Sequence, residues 1–453
     1  MIECSLQYAD REIYANSQHH LQAAADGLAL LRDRAWKDQP TGWWRYPNLH
    51  GETVLKNLQD LQQQIPCYYD AVVCVGIGGS YLGAKAIYRT LRGEYADLTA
   101  IGDMARNPRQ LPLLFAGHNL SQSTQVDLEQ TLDAFQPLIV VVSKSGETLE
   151  PGLAFRFLRQ YLGKRYSQRE VAERIICVTD PQSGTLRKMA VEHQWRTLAI
   201  PNDIGGRFSV FTNAGVAPLA LAGYEMDALF AGGESAFSSL QQADSENCKT
   251  LCQYASYRRA AYLAGKRVEV LASFEAKVDQ FLAWYQQLYG ESLGKEQQGL
   301  CPLPLRYSDD LHSMGQYLQD GQRNLTQTLF QWQSHESPDS LLVPEELKES
   351  GDGLGYLVKR EYRHLTRDVT QATLMAHSQG GVGSLIITQP QLGLQELGQL
   401  FAFFQSACAV EGAMADLNPF NQPGVEDYKK NMFALFGRPG YEELGRKLRS
   451  RLI

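Results

Sequence analysis

Short runs that are apolar at every position alternate along this chain with longer stretches whose apolar residues recur three or four apart. Runs at 72–75, 138–142, 175–178 and 198–200 have the length and composition of strands buried on both faces. Stretches such as 81–91 and 151–162 between them carry helical spacing. This alternation predicts a parallel sheet covered by helices from Ala71 to Pro201. The pattern restarts at 267–271 and leads into a helix with apolar residues at Phe274, Val278, Phe281, Leu282, Tyr285, Leu288 and Tyr289. Further strands are predicted at 369–374 and 384–387. A long helix follows at about 394–416, then a last amphipathic helix.

Residues 1–65 read as mostly helical and polar, as at 17–33, interrupted by Pro40-Thr-Gly-Trp-Trp-Arg-Tyr-Pro47. At 453 residues the chain exceeds one ordinary core. The expected division is a helical segment at 1–65, a first α/β domain at 66–215, a second with connecting helices at 216–415, and a helical C-terminal segment at 416–453. Neither sequence repeats nor low-complexity tracts interrupt it.

Composition narrows the function. Hydrophobic residues make up 44% and charged residues 21%, the balance of a soluble globular protein. Net charge is −7 and basic pieces are short, as in Arg446-Lys447-Leu-Arg449, which argues against nucleic acid as a partner. No apolar run approaches the ~20 residues of a membrane helix. The first ten residues lack a basic region followed by an apolar one, so no signal peptide is expected. Eight cysteines lie at 4, 67, 74, 177, 248, 252, 301 and 408 without a CxxC pair. Cys74 and Cys177 fall in strand-like runs and read as buried thiols. Cys248 and Cys252 stand one helical turn apart with no histidine pair to complete a zinc set. The expected setting is a reduced cytoplasm.

Two strand–loop–helix units carry the candidate chemistry: Ala71-Val-Val-Cys-Val-Gly-Ile-Gly-Gly-Ser-Tyr-Leu-Gly83 and Leu138-Ile-Val-Val-Val-Ser-Lys-Ser-Gly-Glu-Thr148. A small-residue loop opening a helix presents backbone N–H groups where an anion binds. Two such loops point to a phosphorylated small molecule. A dinucleotide fingerprint fails, because Tyr81 stands where the third glycine belongs and Gly83 comes two later. A P-loop fails too, since Gly83 is followed by Ala84-Lys85-Ala86. A merely structural turn remains open for the first loop, and ordinary capping by Ser143, Ser145 and Thr148 for the second. Glu147 would repel a phosphate and is expected to point away.

Four further residues look bland one at a time. Glu291, where Gly290 is expected to disrupt a helix, reads as solvated surface, with Gln287 one turn before it. His312 reads as a satisfied polar residue. Arg207 reads as a structural ion-pair partner and Lys429 as a solvated lysine early in a helix, at the unfavourable end of its dipole.

Taken together, Gly76-Ile-Gly-Gly-Ser80, Ser143-Lys-Ser-Gly-Glu-Thr148, Gly205-Gly-Arg-Phe-Ser209, Gly290-Glu-Ser-Leu-Gly-Lys295, His312 and Gln422-Pro-Gly-Val-Glu-Asp-Tyr-Lys429 resemble the glucose-6-phosphate isomerase family in its shorter bacterial form. The motifs keep the family's order over roughly residues 45–437, and 203–218 and 412–429 look like its two signature regions. The resemblance implies two sugar-isomerase (SIS) domains, each an α/β/α sandwich around a mainly parallel sheet. It also implies a homodimer in which His312 reaches the partner's site. It assigns phosphate binding to Gly79, Ser80, Ser143, Ser145 and Thr148 with Lys144 nearby, and substrate contact to Gln287 and Gln422. Glu291, His312, Lys429 and Arg207 would be catalytic. Tyr81 and Glu147 depart from the family's usual aspartate and threonine.

Interconverting an aldose and a ketose phosphate needs ring opening, for which His312 and Lys429 suit. It then needs one base that reaches both C1 and C2, for which Glu291 suits, and a fixed cation for the enediolate, Arg207. Neither a metal nor a redox cofactor is required. Two rivals stand beside this reading. One is a broader isomerase that also takes mannose 6-phosphate. The other is a non-catalytic SIS-type sensor, which would have no need of all four residues at once.

Overall fold

The structure is a computed structural model that describes residues 2–33, 36, 39–65, 68–103, 110–334, 341–345 and 351–451. Cys67 and the expected boundary at residue 66 lie outside the described residues. Among the described residues there are ten strands: β1 (Glu3–Tyr8), β2 (Ala71–Val75), β3 (Leu113–Ala116), β4 (Pro137–Val142), β5 (Ile175–Thr179), β6 (Arg196–Ala199), β7 (Val268–Ser273), β8 (Cys301–Arg306), β9 (Leu325–Ser334) and β10 (Ser384–Gln391).

They form two five-stranded sheets. The first, in the order β3-β2-β4-β5-β6, is parallel throughout. The second, in the order β1-β10-β9-β7-β8, is parallel except for β1, which pairs antiparallel with β10. Strands β2, β4 and β5 are buried at every position, because helices cover both faces. Each Val or Ile hidden this way contributes about 1.5–3 kcal/mol over its exposed state. The architecture is a pair of SIS-type α/β/α sandwiches. Helix Asn213–Leu221 packs on β2, β4 and β5 and so runs across position 215/216 into the first sandwich.

The order of the first sheet locates its crevice. From β2 the chain moves to β3 on one side, and from β4 to β5 on the other, while β2 and β4 lie side by side. Connections that leave neighbouring strands in opposite directions open a gap at the strands' carboxyl ends, where ligands of such sheets bind. Both Ser/Gly loops emerge there.

Six elements differ from the sequence pattern. Residues 3–8 are a strand, not part of a helical segment, because Glu3, Cys4 and Ser5 align with Thr388, Ile387 and Ile386 of β10. Residues 369–374 lie inside helix Tyr362–Gln379, whose buried Thr370, Leu374 and His377 repeat at helical intervals. Gly290 does not break its helix, which runs Asp279–Leu293 and closes with the Gly294 N–H on the Gly290 carbonyl at 3.1 Å. Burial of Leu288, Tyr289 and Leu293 outweighs the ~1 kcal/mol that one glycine costs a helix. Strands β3, β8 and β9 had no counterpart in the pattern. Prolines 302 and 304 fall inside β8, and polar Thr326, Gln327 and Thr328 lie buried in β9.

The thiols of Cys74 and Cys177 are buried in β2 and β5. Among the described residues no helix is long and apolar enough to cross a membrane.

Candidate active site

The Gly/Ser turn after β2 leads into helix Leu82–Arg92, and that after β4 into helix Leu149–Gly163, with Thr148 at its N-cap position. The N–H ends of both helices therefore face the crevice. In the second loop the Ser143 hydroxyl accepts from the Gly146 N–H at 3.0 Å, and that of Ser145 from the Glu147 N–H at 3.2 Å. Gly146 holds the turn at φ 75°, a conformation that suits glycine. The Thr148 side chain makes no capping bond; it and Ser145 are exposed. Ser80 is half-buried. The Glu147 carboxylate faces the Thr185 hydroxyl at 3.4 Å and the Arg438 guanidinium at 4.0 Å. Tyr81 stacks on His118 with ring centroids 5.2 Å apart. Gly83, not residue 81, provides the close approach in this turn, since a Cβ there would lie 3.0 Å from Val210.

The junction at 203–209 docks directly on the first loop. A Cβ on Gly79 would run into the Gly206 carbonyl, and the Ser209 hydroxyl reaches the Gly79 carbonyl at 3.4 Å. Lys144 ties the second loop to the same junction through the Asn202 and Ile204 carbonyls, at 2.8 and 3.3 Å. Burial lowers the pKa of that lysine. Beneath the junction Trp43 stacks on Phe208 at 4.8 Å, and Phe208 meets Phe420 at 5.4 Å. Trp43 of the N-terminal segment thus packs against Phe208, the residue that follows Arg207.

Arg207 is the centre of the arrangement. Its Nη1 meets Glu291 Oε1 at 2.7 Å and also donates to Gln422 Oε1; Nε donates to the Ser292 hydroxyl at 2.9 Å. Nη2 donates to the Pro419 and Asn421 carbonyls at 2.8 and 3.2 Å. The other oxygen of Glu291 accepts from Gln287 Nε2 at 3.0 Å. That amide also lies over the first loop, 2.7 Å from where a Gly78 Cβ would sit. Glu291 stands near the C-terminus of its helix, where the dipole disfavours a carboxylate; the guanidinium offsets this.

A buried network fixes the helix from behind. The Tyr285 hydroxyl donates to Glu269 at 3.0 Å and that of Thr328 donates to the same carboxylate at 2.7 Å. Arg258 pairs with Glu269 and, through Nε, with both oxygens of Glu411 at 2.8 and 3.0 Å. Ion pairs and hydrogen bonds of this kind in a low-dielectric interior leave the helix little freedom to slide.

Arg207, Glu291, Gln287, Gln422 and Gly79 therefore converge in one chain, and Lys144 joins them from the second loop. His312 and Lys429 do not join by contact. His312 caps a short turn, is exposed, and has no side-chain hydrogen bond among the described residues. Lys429 pairs with Glu426 one turn earlier at 3.0 Å. Ser292, Asn421 and Lys295 received no role from the sequence, although Ser292 and Lys295 share a short motif with Glu291. A lysine just past a helix C-terminus was the available signal.

The fold and its matches define an enzyme of the sugar-phosphate isomerase class. The family described as phosphoglucose isomerase matches residues 67–333. The chain is 38% identical over 415 residues to glucose-6-phosphate isomerase of Acetivibrio thermocellus, covering 91% of this chain and 90% of that one. It is 39% identical over 421 residues to the glucose-6-phosphate isomerase of Streptococcus thermophilus, covering 92% and 90%. A crystal structure of a glucose-6-phosphate isomerase from Chlamydia trachomatis superposes with a TM-score of 0.76 at 19% identity, covering 99% of this chain and 92% of that one. A hypothetical protein from Thermus thermophilus gives 0.80 at 24% identity, covering 95% and 98%. The two structures speak to the fold alone. The chain belongs to the phosphoglucose isomerase family.

Proposed function

We propose that this chain interconverts D-glucose 6-phosphate and D-fructose 6-phosphate, with Glu291 as the proton-transferring base and Arg207 as the cation that stabilises the enediolate. The observation that carries this is the 2.7 Å pair between them, held at the edge of the first-sheet crevice.

The phosphate lies across the two loops, on the N–H groups around Gly79, Ser80, Ser143, Ser145 and Thr148, with Lys144 and the helix dipoles adding positive potential. His312 of a partner subunit and Lys429 open the ring by moving a proton from the anomeric hydroxyl and returning one to the ring oxygen. Glu291 then takes the C2 proton and delivers it to C1 on the same face, its plane fixed by Gln287 and Arg207. As negative charge gathers on oxygen, the fixed guanidinium stabilises it without reorganising. Gln422 orients the sugar hydroxyls. The homodimer, a cytoplasmic setting and a division into two sandwiches, the first extended past 215 to take in helix Asn213–Leu221, belong to the same proposal. So does the placement of Lys429 in the C-terminal segment 416–453. The exposure of the His312 imidazole, which has no hydrogen bond among the described residues, supports its use in trans.

A coupled assay that follows glucose 6-phosphate formed from fructose 6-phosphate tests the proposal. Steady turnover is expected, and its absence in folded protein sinks the reading. Mannose 6-phosphate turned over at a similar rate would replace it with the broader epimer-tolerant isomerase.

A further inference from the structure

Lys295 follows the helix that carries Glu291, and its ammonium is held by one turn of chain. Nζ donates to the Asn418 carbonyl and, at 2.9 Å, to Asn421 Oδ1. The same turn is held from the other side by Arg207, through the Pro419 and Asn421 carbonyls and the Gln422 amide oxygen. Two cations from different segments thus hold residues 418–422, which also bond inward, the Asn418 side chain accepting from the Phe420 N–H at 2.9 Å. The turn leads directly through Pro423–Val425 into helix Glu426–Leu435, which carries Lys429. Arg207 is committed to Glu291 as well, so it alone would couple the turn to every movement of that carboxylate. A second, independent cation removes that coupling.

We propose that Lys295 is a positioning residue that pins the turn at 418–422 and thereby sets where Gln422 and Lys429 stand against Glu291. This rests on the isomerase reading above. The groups facing the ammonium are Arg207 on the junction, Glu291 and Glu296 on its own segment, and the Cys408 thiol on helix Leu394–Met414. Burial, then Arg207, brings the lysine down from its ordinary 10.5 to about 8, against the opposing pull of Cys408, Glu291 and Glu296. Above that pH the neutral amine is a weaker donor to the Asn418 carbonyl, and the turn loosens.

The test compares full-length wild type, Lys295→Met and Lys295→Arg by steady-state kinetics on fructose 6-phosphate and by amide hydrogen exchange without substrate. Lys295→Met is expected to raise KM about ten-fold, the scale of a lost charge-assisted hydrogen bond, and to speed exchange across 418–430. The wild-type KM should climb above about pH 8, and Lys295→Arg should hold it low through about pH 9, because a guanidinium stays charged. Wild-type KM in Lys295→Met overturns the proposal, and so does unchanged exchange across that segment. A lower melting temperature with both unchanged overturns it too, since the lysine would then be structural only. If wild type turns over no fructose 6-phosphate, the isomerase reading falls, while the exchange comparison still decides the role of Lys295 in the turn.

Discussion

Arg207 and Glu291 meet at 2.7 Å, the guanidinium 4% exposed and the carboxylate 24%. A pair this buried is expensive to break from one side, about 3–5 kcal/mol, because the remaining charge stays desolvated. The guanidinium also holds Ser292, Pro419, Asn421 and Gln422. Its position is therefore set before any substrate charge develops, which is the condition for electrostatic stabilisation without reorganisation.

Glu291→Gln keeps the shape and the acceptor oxygen for Arg207 but removes the base. Turnover should fall by about a thousand-fold, within the usual range for a lost general base. Affinity for a competitive sugar phosphate should change little, since the phosphate loops are untouched. A coupled assay and a calorimetric titration measure the two; activity retained at a few per cent removes Glu291 from the role.

The trans placement of His312 has its own signature. Glu291→Gln and His312→Ala proteins, each nearly inactive, are mixed, unfolded and refolded together. If sites are shared, half the dimers are hybrids with one intact site each, so about a quarter of wild-type activity returns. Activity that stays at the level of the separate proteins puts His312 and Glu291 of one site in the same chain.

Gly79 has no room for a methyl group against the Gly206 carbonyl, whereas Gly152, in helix Leu149–Gly163, has nothing within 4 Å. Gly79→Ala should cost about 1–3 kcal/mol and raise KM by parting the first loop from the Arg207 junction. Gly152→Ala should be neutral or stabilising by up to about 1 kcal/mol. Urea melts and KM values for both check this; equal behaviour would mean the loops are not in register.

Burial raises the Asp279 carboxyl from its ordinary 3.8 to about 6, only partly countered by Arg306 at 3.9 Å. A carboxyl whose folded pKa is raised holds its proton more tightly in the native state. Its contribution favours folding at low pH and is lost as pH rises through about 6. Asp279→Asn should thus gain melting temperature over wild type progressively between about pH 4 and pH 7, then level off. A constant difference across that range would mean the group is not titrating there.

The sequence alone determined four of the five strands of the first sheet, all but β3, and its two anion-type loops. Runs such as 71–75 and 138–142 are apolar at every position, and only a strand covered on both faces satisfies that pattern. The Gly/Ser turns followed because their spacing is local. The motif order led to the family, and with it to a set of side chains that look ordinary singly.

Tertiary structure decided everything that depends on a partner far along the chain. Residues 3–8 became a strand only because β10 offers them an edge, and Trp43 came to support the Arg207 junction through Phe208 and Phe420. Gly290 stayed helical because the buried face of its helix outweighed a local preference. Lys144 and Lys295 hold backbone carbonyls and an amide of distant segments, partners that residue type and spacing do not name. Hydrophobic periodicity is written in neighbouring positions. Hydrogen bonds and ion pairs between distant segments exist only once the chain has folded.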